Sequence, residues 1–160
     1  MIDPTQMREV IKHVLTELGD KYNSPEALDL VYNTGLVESK YVYLKQIKGP
    51  ARGHWQCEPA TCLDIINNYL KYRKSLMKKV AESFELDWSH FLSPSDEKWK
   101  LILTTNLAAQ IIMCRLHYRR CPKPLPRTLV DQAIYWKSYY NTYKGKGTPE
   151  HFAEIVTKYG

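Results

Sequence analysis

A capping residue directly followed by proline occurs four times in this chain, at Asp3-Pro4, Ser24-Pro25, Ser93-Pro94 and Thr148-Pro149, with Glu58-Pro59 as a weaker fifth case. Proline at the first helical position loses nothing by lacking an N–H, and Ser, Thr or Asp before it can satisfy the free amides of the first turn. Each pair therefore marks a helix start. Behind them lie apolar residues at 3.6-residue spacing: Met7, Val10, Ile11, Val14 and Leu18; then Leu63, Ile66, Leu70, Met77 and Val80; then Leu101, Ile102, Ala108, Ile112 and Leu116. No strand of period two is apparent, and Val42 and Leu44 around Tyr43 allow at most a short hairpin arm. The pattern predicts helices over 4–19, 25–38, 59–83, 94–119, 128–141 and 149–159. The fold class is all-α, a single domain over 1–160 with about six helices and at most a minimal hairpin.

Length and composition agree with one soluble domain. A chain of 160 residues that is 44% hydrophobic can bury a core, and no apolar run approaches the roughly 18 residues of a membrane span. The first residues, MIDPTQMREV, show no secretory leader, so synthesis in the cytoplasm without a signal peptide is expected. Four cysteines, Cys57, Cys62, Cys114 and Cys121, are too few for a disulfide scaffold, and their spacings do not match common zinc modules. Reduced thiols, no metal and no cofactor are expected.

The net charge is +6, from 23 basic and 17 acidic residues. Lys71, Arg73, Lys74, Lys78 and Lys79 form one cluster; Arg115, Arg119, Arg120, Lys123 and Arg127 form another. Such surfaces favour polyanions, or serve as solvated helix faces. A nucleic-acid binder is the rival reading. No helix-turn-helix spacing supports it, so nucleic acid is not an expected partner, whereas contact with anionic outer-membrane lipid is compatible with a basic helix.

The stretch from Glu38 to Thr61 carries the chemistry. Glu38 falls at the predicted C-terminal end of the second helix, where the helix dipole disfavours another negative charge; partial burial adds to that effect. Both keep a glutamic acid protonated near neutral pH, as a general acid requires. An exposed helix-end acid is the alternative. Ser39 can bond the carboxyl or cap the helix. Gly49 and Gly53 allow close backbone approach, Gln56 suits sugar hydroxyls, and Trp55, Tyr41 and Tyr43 offer flat faces for sugar rings or pack in the core. For His54 a packing or substrate-lining role is expected rather than that of a base. Arg52 places a cation beside the loop.

The pattern of Glu38-Ser39 followed by Ala51, Gly53, Gln56, Pro59 and Thr61 resembles the catalytic signature of soluble lytic transglycosylases and goose-type lysozymes, without a gap between Glu38 and Gln56. Asn106 and the helix after it resemble the family's second helix, and Tyr139-Tyr140-Asn141 its closing Tyr-Asn motif, with Ala133 to Trp136 an equally good register. His54-Trp55 and Pro50 depart from the usual pattern. The resemblance implies a lysozyme-like fold, cleavage of the MurNAc-β-1,4-GlcNAc bond of peptidoglycan by Glu38, and substrate contacts from Ser39, Gly53, Trp55, Gln56, Tyr135, Tyr140 and Asn141. It favours a lytic transglycosylase with one catalytic acid. In the goose-type alternative, Glu58 would activate water as a second carboxylate, and Asp64 is a weaker candidate for that role. Phage-encoded members are the nearest in character: monomeric lysis enzymes, released by a holin or carried in a virion, that act on the periplasmic wall.

Overall fold

A computed structural model describes residues 1–160 and is all-α, with nine α-helices and no strand. Helix α1 is Pro4–Leu18, α2 Pro25–Ser39, α3 Pro59–Asn68, α4 Lys74–Ser83, α5 Ser89–Leu92, α6 Asp96–Thr105, α7 Leu107–Arg119, α8 Leu129–Trp136 and α9 Pro149–Tyr159. A 3-10 turn, Leu70–Tyr72, joins α3 to α4, and a π-helical turn, Lys137–Asn141, extends α8. The helix starts at Pro4, Pro25 and Pro149 form as expected: Asp3, Ser24 and Thr148 each accept a hydrogen bond from an amide of the first turn. Glu58 precedes α3 without a side-chain cap bond.

The chain is more broken than its periodicity implies. The expected helix over 59–83 stops at Asn68, whose side-chain amide donates to Asp64. Tyr69 there adopts φ −135°, and its hydroxyl lies 2.9 Å from that of Tyr22. The expected helix over 94–119 starts later and divides. Ser95, not Ser93, caps α6, and Asn106 leaves the helical region to cap α7, its Oδ1 accepting the Ala109 amide at 2.8 Å. The helix expected over 128–141 keeps α-geometry only to Trp136. Near Val42 and Leu44 no hairpin arm forms; isolated bridges join Lys45 to Arg52 and Arg52 to Cys57.

A core of 36 buried residues draws on all nine helices, with Phe91 from α5, Tyr135 from α8 and Ile155 from α9. Helix α7 runs through its centre, with Ile111, Ile112, Met113, Cys114 and Leu116 all buried. A separate cluster of three buried residues, Ala133, Trp136 and Phe152, joins α8 to α9, with Val37 of α2 packed against it. Side-chain bonds tie α1, α2 and α8: Arg8 pairs with Asp29 at 3.2 Å, Asp29 accepts from Gln132, and Gln132 accepts from Asn33. These contacts hold the first turns of α2 against α1 and α8. No helix is long and apolar enough to cross a membrane.

Candidate active site around Glu38

Glu38 lies in the last turn of α2, whose C-cap, Lys40, is left-handed at φ 54°. Tyr41 follows at φ 55°, and two successive non-glycine residues in this region turn the chain sharply away from the helix. Packing sustains the turn. The Tyr41 ring lies against Gly35, where any Cβ would overlap it, and its hydroxyl donates to the Tyr32 carbonyl at 2.6 Å.

The Glu38 carboxyl is partly buried, and burial pushes its pKa up from 4.5 to about 7. The Trp136 indole N–H donates to Oε1 at 3.0 Å, which favours the ionised form and opposes part of that rise. Cys57 lies close enough for its charge to raise the carboxyl as well. An aromatic group backs the site: Tyr140 stacks on Tyr118 at 5.2 Å between centroids, and His117 lies 4.9 Å from Tyr140. Burial first, then neighbouring charges including that of Glu38, raise Cys114, Tyr118 and Tyr140. A carboxyl that exchanges its proton near pH 7 beside hydroxyls that stay neutral can donate a proton and take one back; the Cys57 thiol, lowered to about 6 chiefly by its bond with Cys62, is the charged neighbour.

Several residues expected to touch substrate are used by the fold. Ser39 is 3% exposed; its hydroxyl donates to Gly35 and accepts from the Tyr41 amide, with no bond to Glu38. Trp55 is fully buried at 0%, its indole N–H donating to the Val31 carbonyl, so it is core rather than platform. Tyr41 is core as well. Gly53 has φ +79°, and a Cβ there would lie 2.7 Å from the Leu103 carbonyl and from Gln110. The close approach that Gly53 permits is therefore made by the protein, not by a ligand. Tyr135 is 7% exposed and donates to the Lys123 carbonyl.

Gln56, at φ 49°, donates Nε2 to the Gly53 carbonyl and closes its own loop. Tyr140 donates to the Trp55 carbonyl at 2.6 Å, which brings the late Tyr-Asn segment onto the Gly53–Cys57 loop. Asn141 accepts from Lys137 at 2.8 Å. Arg52 donates to the Gly49 and Ala51 carbonyls, stiffening its loop. His54 is buried and packs edgewise on Tyr41, and burial lowers its pKa. Glu58 is exposed, and Asp64 is held below its ordinary range by Arg120 at 2.6 Å.

Two contacts of the site had no sequence signal. Trp136 entered only as part of an alternative register, yet it bonds Glu38. Gln110, buried in α7, accepts the His54 amide at 2.8 Å and anchors the loop from below. All four cysteines are free, and the thiols of Cys57 and Cys62 lie 3.7 Å apart. No group of three or more His, Cys, Asp or Glu side chains is placed to hold a metal ion. None of three surface cavities of the molecule is lined by Glu38. A scan against protein-family models, a search of curated proteins and a search of solved structures each return no match.

Proposed function

We propose that this chain is a peptidoglycan-cleaving enzyme with a lysozyme-like fold, acting as a lytic transglycosylase with Glu38 as its single catalytic acid and base. The observation that carries the reading is the Glu38 carboxyl at the end of α2, raised to about 7 by burial and oriented by Trp136. The ungapped spacing from Glu38 to Gln56 supports it. Protonated Glu38 gives its proton to the oxygen of the MurNAc-β-1,4-GlcNAc bond as that bond breaks. The carboxylate then takes the proton of the muramoyl C6 hydroxyl, whose oxygen closes on C1 to form the 1,6-anhydro ring. One group performs both transfers, which calls for a pKa near the working pH.

The loop after Glu38 exposes Tyr43, Leu44 and Ile47, apolar faces suited to pyranose rings. These replace Tyr41 and Trp55 as sugar-facing candidates. The expected setting is phage-mediated lysis, with a monomer reaching the wall through a holin or from a virion. Hydrolysis with Glu58 as second carboxylate is the alternative, and Glu58 is exposed to water as that role demands. Mass analysis of muropeptides released from purified peptidoglycan tests both. Anhydromuramoyl ends, lighter by one water, support the transglycosylase; reducing ends support the hydrolase; no release by folded protein overturns both.

A further inference from the structure

The two side chains that close over the start of α3 are both cysteines. Glu58 is the N-cap of α3 and Pro59 its first residue, so Cys57 stands just before the cap and Cys62 at the fourth helical position. At these two places an apolar pair commonly meets and fixes the angle at which the chain enters the helix. The Thr61 and Cys62 amides both bond the Glu58 carbonyl, at 3.0 and 3.2 Å, which draws the first turn toward Cys57. On its other side Cys57 is held by two backbone bonds with Arg52, 2.9 and 3.1 Å long. The thiols of Cys57 and Cys62 end 3.7 Å apart, whereas Cys114 and Cys121 make no thiol–thiol bond.

Two sulfurs in contact allow a covalent staple in place of an apolar one. A disulfide of ordinary length requires them to close by less than about 2 Å, which side-chain rotation and a small shift of the loop provide. The surroundings give the two thiols different roles. The bond from Cys62 and then His117 of α7 lower the Cys57 thiol to about 6. Burial and the Cys57 charge push Cys62 well above the ordinary thiol range. The proton therefore stays on Cys62 and the charge on Cys57. A thiolate beside a protonated thiol is the arrangement in which one sulfur attacks an oxidant and the other resolves the product.

Burial does not close the pair to a small reagent. Cys57 is 4% exposed and lies in the loop between α2 and α3, a kind of segment that opens locally at low cost. Cys62 is fully buried, but it has to meet only Cys57.

We propose that Cys57 and Cys62 form an oxidation site that closes to a reversible disulfide on reaction with hydrogen peroxide, Cys57 being the attacking sulfur and Cys62 the resolving one. In the first step the Cys57 sulfur attacks one peroxide oxygen. An S–O bond forms, the O–O bond breaks, and the departing hydroxide takes up a proton and leaves as water. In the second step the Cys62 sulfur bonds to that of Cys57, the S–O bond breaks, and the released hydroxide leaves as water with the Cys62 proton. The two thiols lose two electrons and the peroxide gains them. Because Cys57 is the charged neighbour of Glu38, the disulfide puts a neutral group in place of that charge. Formation of the bond is independent of cleavage of the glycan.

The test treats the intact, reduced protein with hydrogen peroxide at pH 7, labels the remaining thiols with iodoacetamide after denaturation, and weighs the tryptic peptides. Residues 53–71 form one such peptide, which holds Cys57 and Cys62 and neither of the other cysteines. The proposal expects this peptide to become lighter by two hydrogens and to take up no label, and dithiothreitol to restore both labels. From its larger thiolate fraction, the conversion should run at least about tenfold faster than oxidation of Cys121, the most exposed of the four thiols. Cys62→Ser, checked for folding by circular dichroism, should accumulate a sulfenic acid at Cys57 that dimedone traps; Cys57→Ser should leave Cys62 unlabelled by dimedone. Absence of the disulfide in peptide 53–71, its formation no faster than oxidation of Cys121, or dimedone on Cys62 in place of Cys57 overturns the proposal. The wild-type peptide decides the matter even where a serine variant does not fold. These masses report the thiols alone, so failure here is distinct from absence of muropeptide release.

Discussion

The indole N–H of Trp136 reaches Oε1 of Glu38 at 3.0 Å across 98 residues of sequence. This bond joins the end of α2 to the end of α8 and sets the proton affinity of the carboxyl against the effect of burial. Burial favours the neutral acid; the indole favours the carboxylate.

Trp136→Phe keeps most of the ring and removes the donor. The Glu38 pKa should rise above its value of about 7, because the bond lost had favoured the charged form. The loss of wall-cleaving rate with rising pH, where the acid must be protonated, should move to higher pH. Carboxyl NMR titration and a pH–rate profile measure the two effects. An unchanged or lowered pKa contradicts the role of the indole.

Glu38→Gln should retain the fold and lower cleavage by about 10²- to 10⁴-fold, the usual contribution of a positioned acid. It should also alter the dependence of stability on pH. The folded carboxyl holds its proton up to about pH 7, whereas the unfolded one releases it near 4.5. Between those values the native state binds more protons, so wild-type stability falls as pH rises through this window and levels off above it. The full effect is about 3 kcal/mol at most, less for the part of the carboxyl that meets water. In urea unfolding at pH 4.5 and 7.5, the stability of wild type relative to Glu38→Gln should fall from the lower pH to the higher, since other titrating groups are common to both; parallel curves count against a raised Glu38.

Tyr140→Phe leaves the Trp55 carbonyl without its 2.6 Å donor. The expected cost is about 1–3 kcal/mol, the range for a polar group left unsatisfied in a protected place. Hydrogen exchange should accelerate most at residues 53–57. A uniform change across the chain would show that the bond does not hold this loop.

Glu58 separates the two mechanisms. Glu58→Gln should change stability by less than about 0.5 kcal/mol, as for an exposed residue without side-chain bonds. In a transglycosylase it should change the rate by less than about threefold and leave anhydro ends as product. A collapse of rate in folded protein, together with reducing ends from wild type, assigns Glu58 the water-activating role.

The proline-led caps and the 3.6-residue stripes carried the helical class and most helix starts, because these signals are local. The breaks were less legible. Asn106 was visible as the start of a helix, but its role as a divider depends on α6 and α7 packing separately. Tyr69 leaves the helix to meet Tyr22, a contact 47 residues away. At the candidate site, Glu38 stood out through spacing, whereas Ser39, Gly53 and Trp55 looked like substrate contacts by residue type alone. Their roles were decided by Gly35, Gln110 and Val31, which pack against them from elsewhere in the chain. No local pattern encodes those meetings.

The small cluster of Ala133, Trp136 and Phe152 supplies the only hydrogen bond to the Glu38 carboxyl, and its helices reach the main core through Tyr135 and Ile155. The acid is thus governed by the seating of α8 and α9 on α2. If α8 and α9 detach first on heating, Glu38 reverts to an ordinary carboxylate inside a largely intact protein. Thermal inactivation then precedes the main melting transition, and hydrogen exchange in α8 and α9 accelerates before that of the remaining helices.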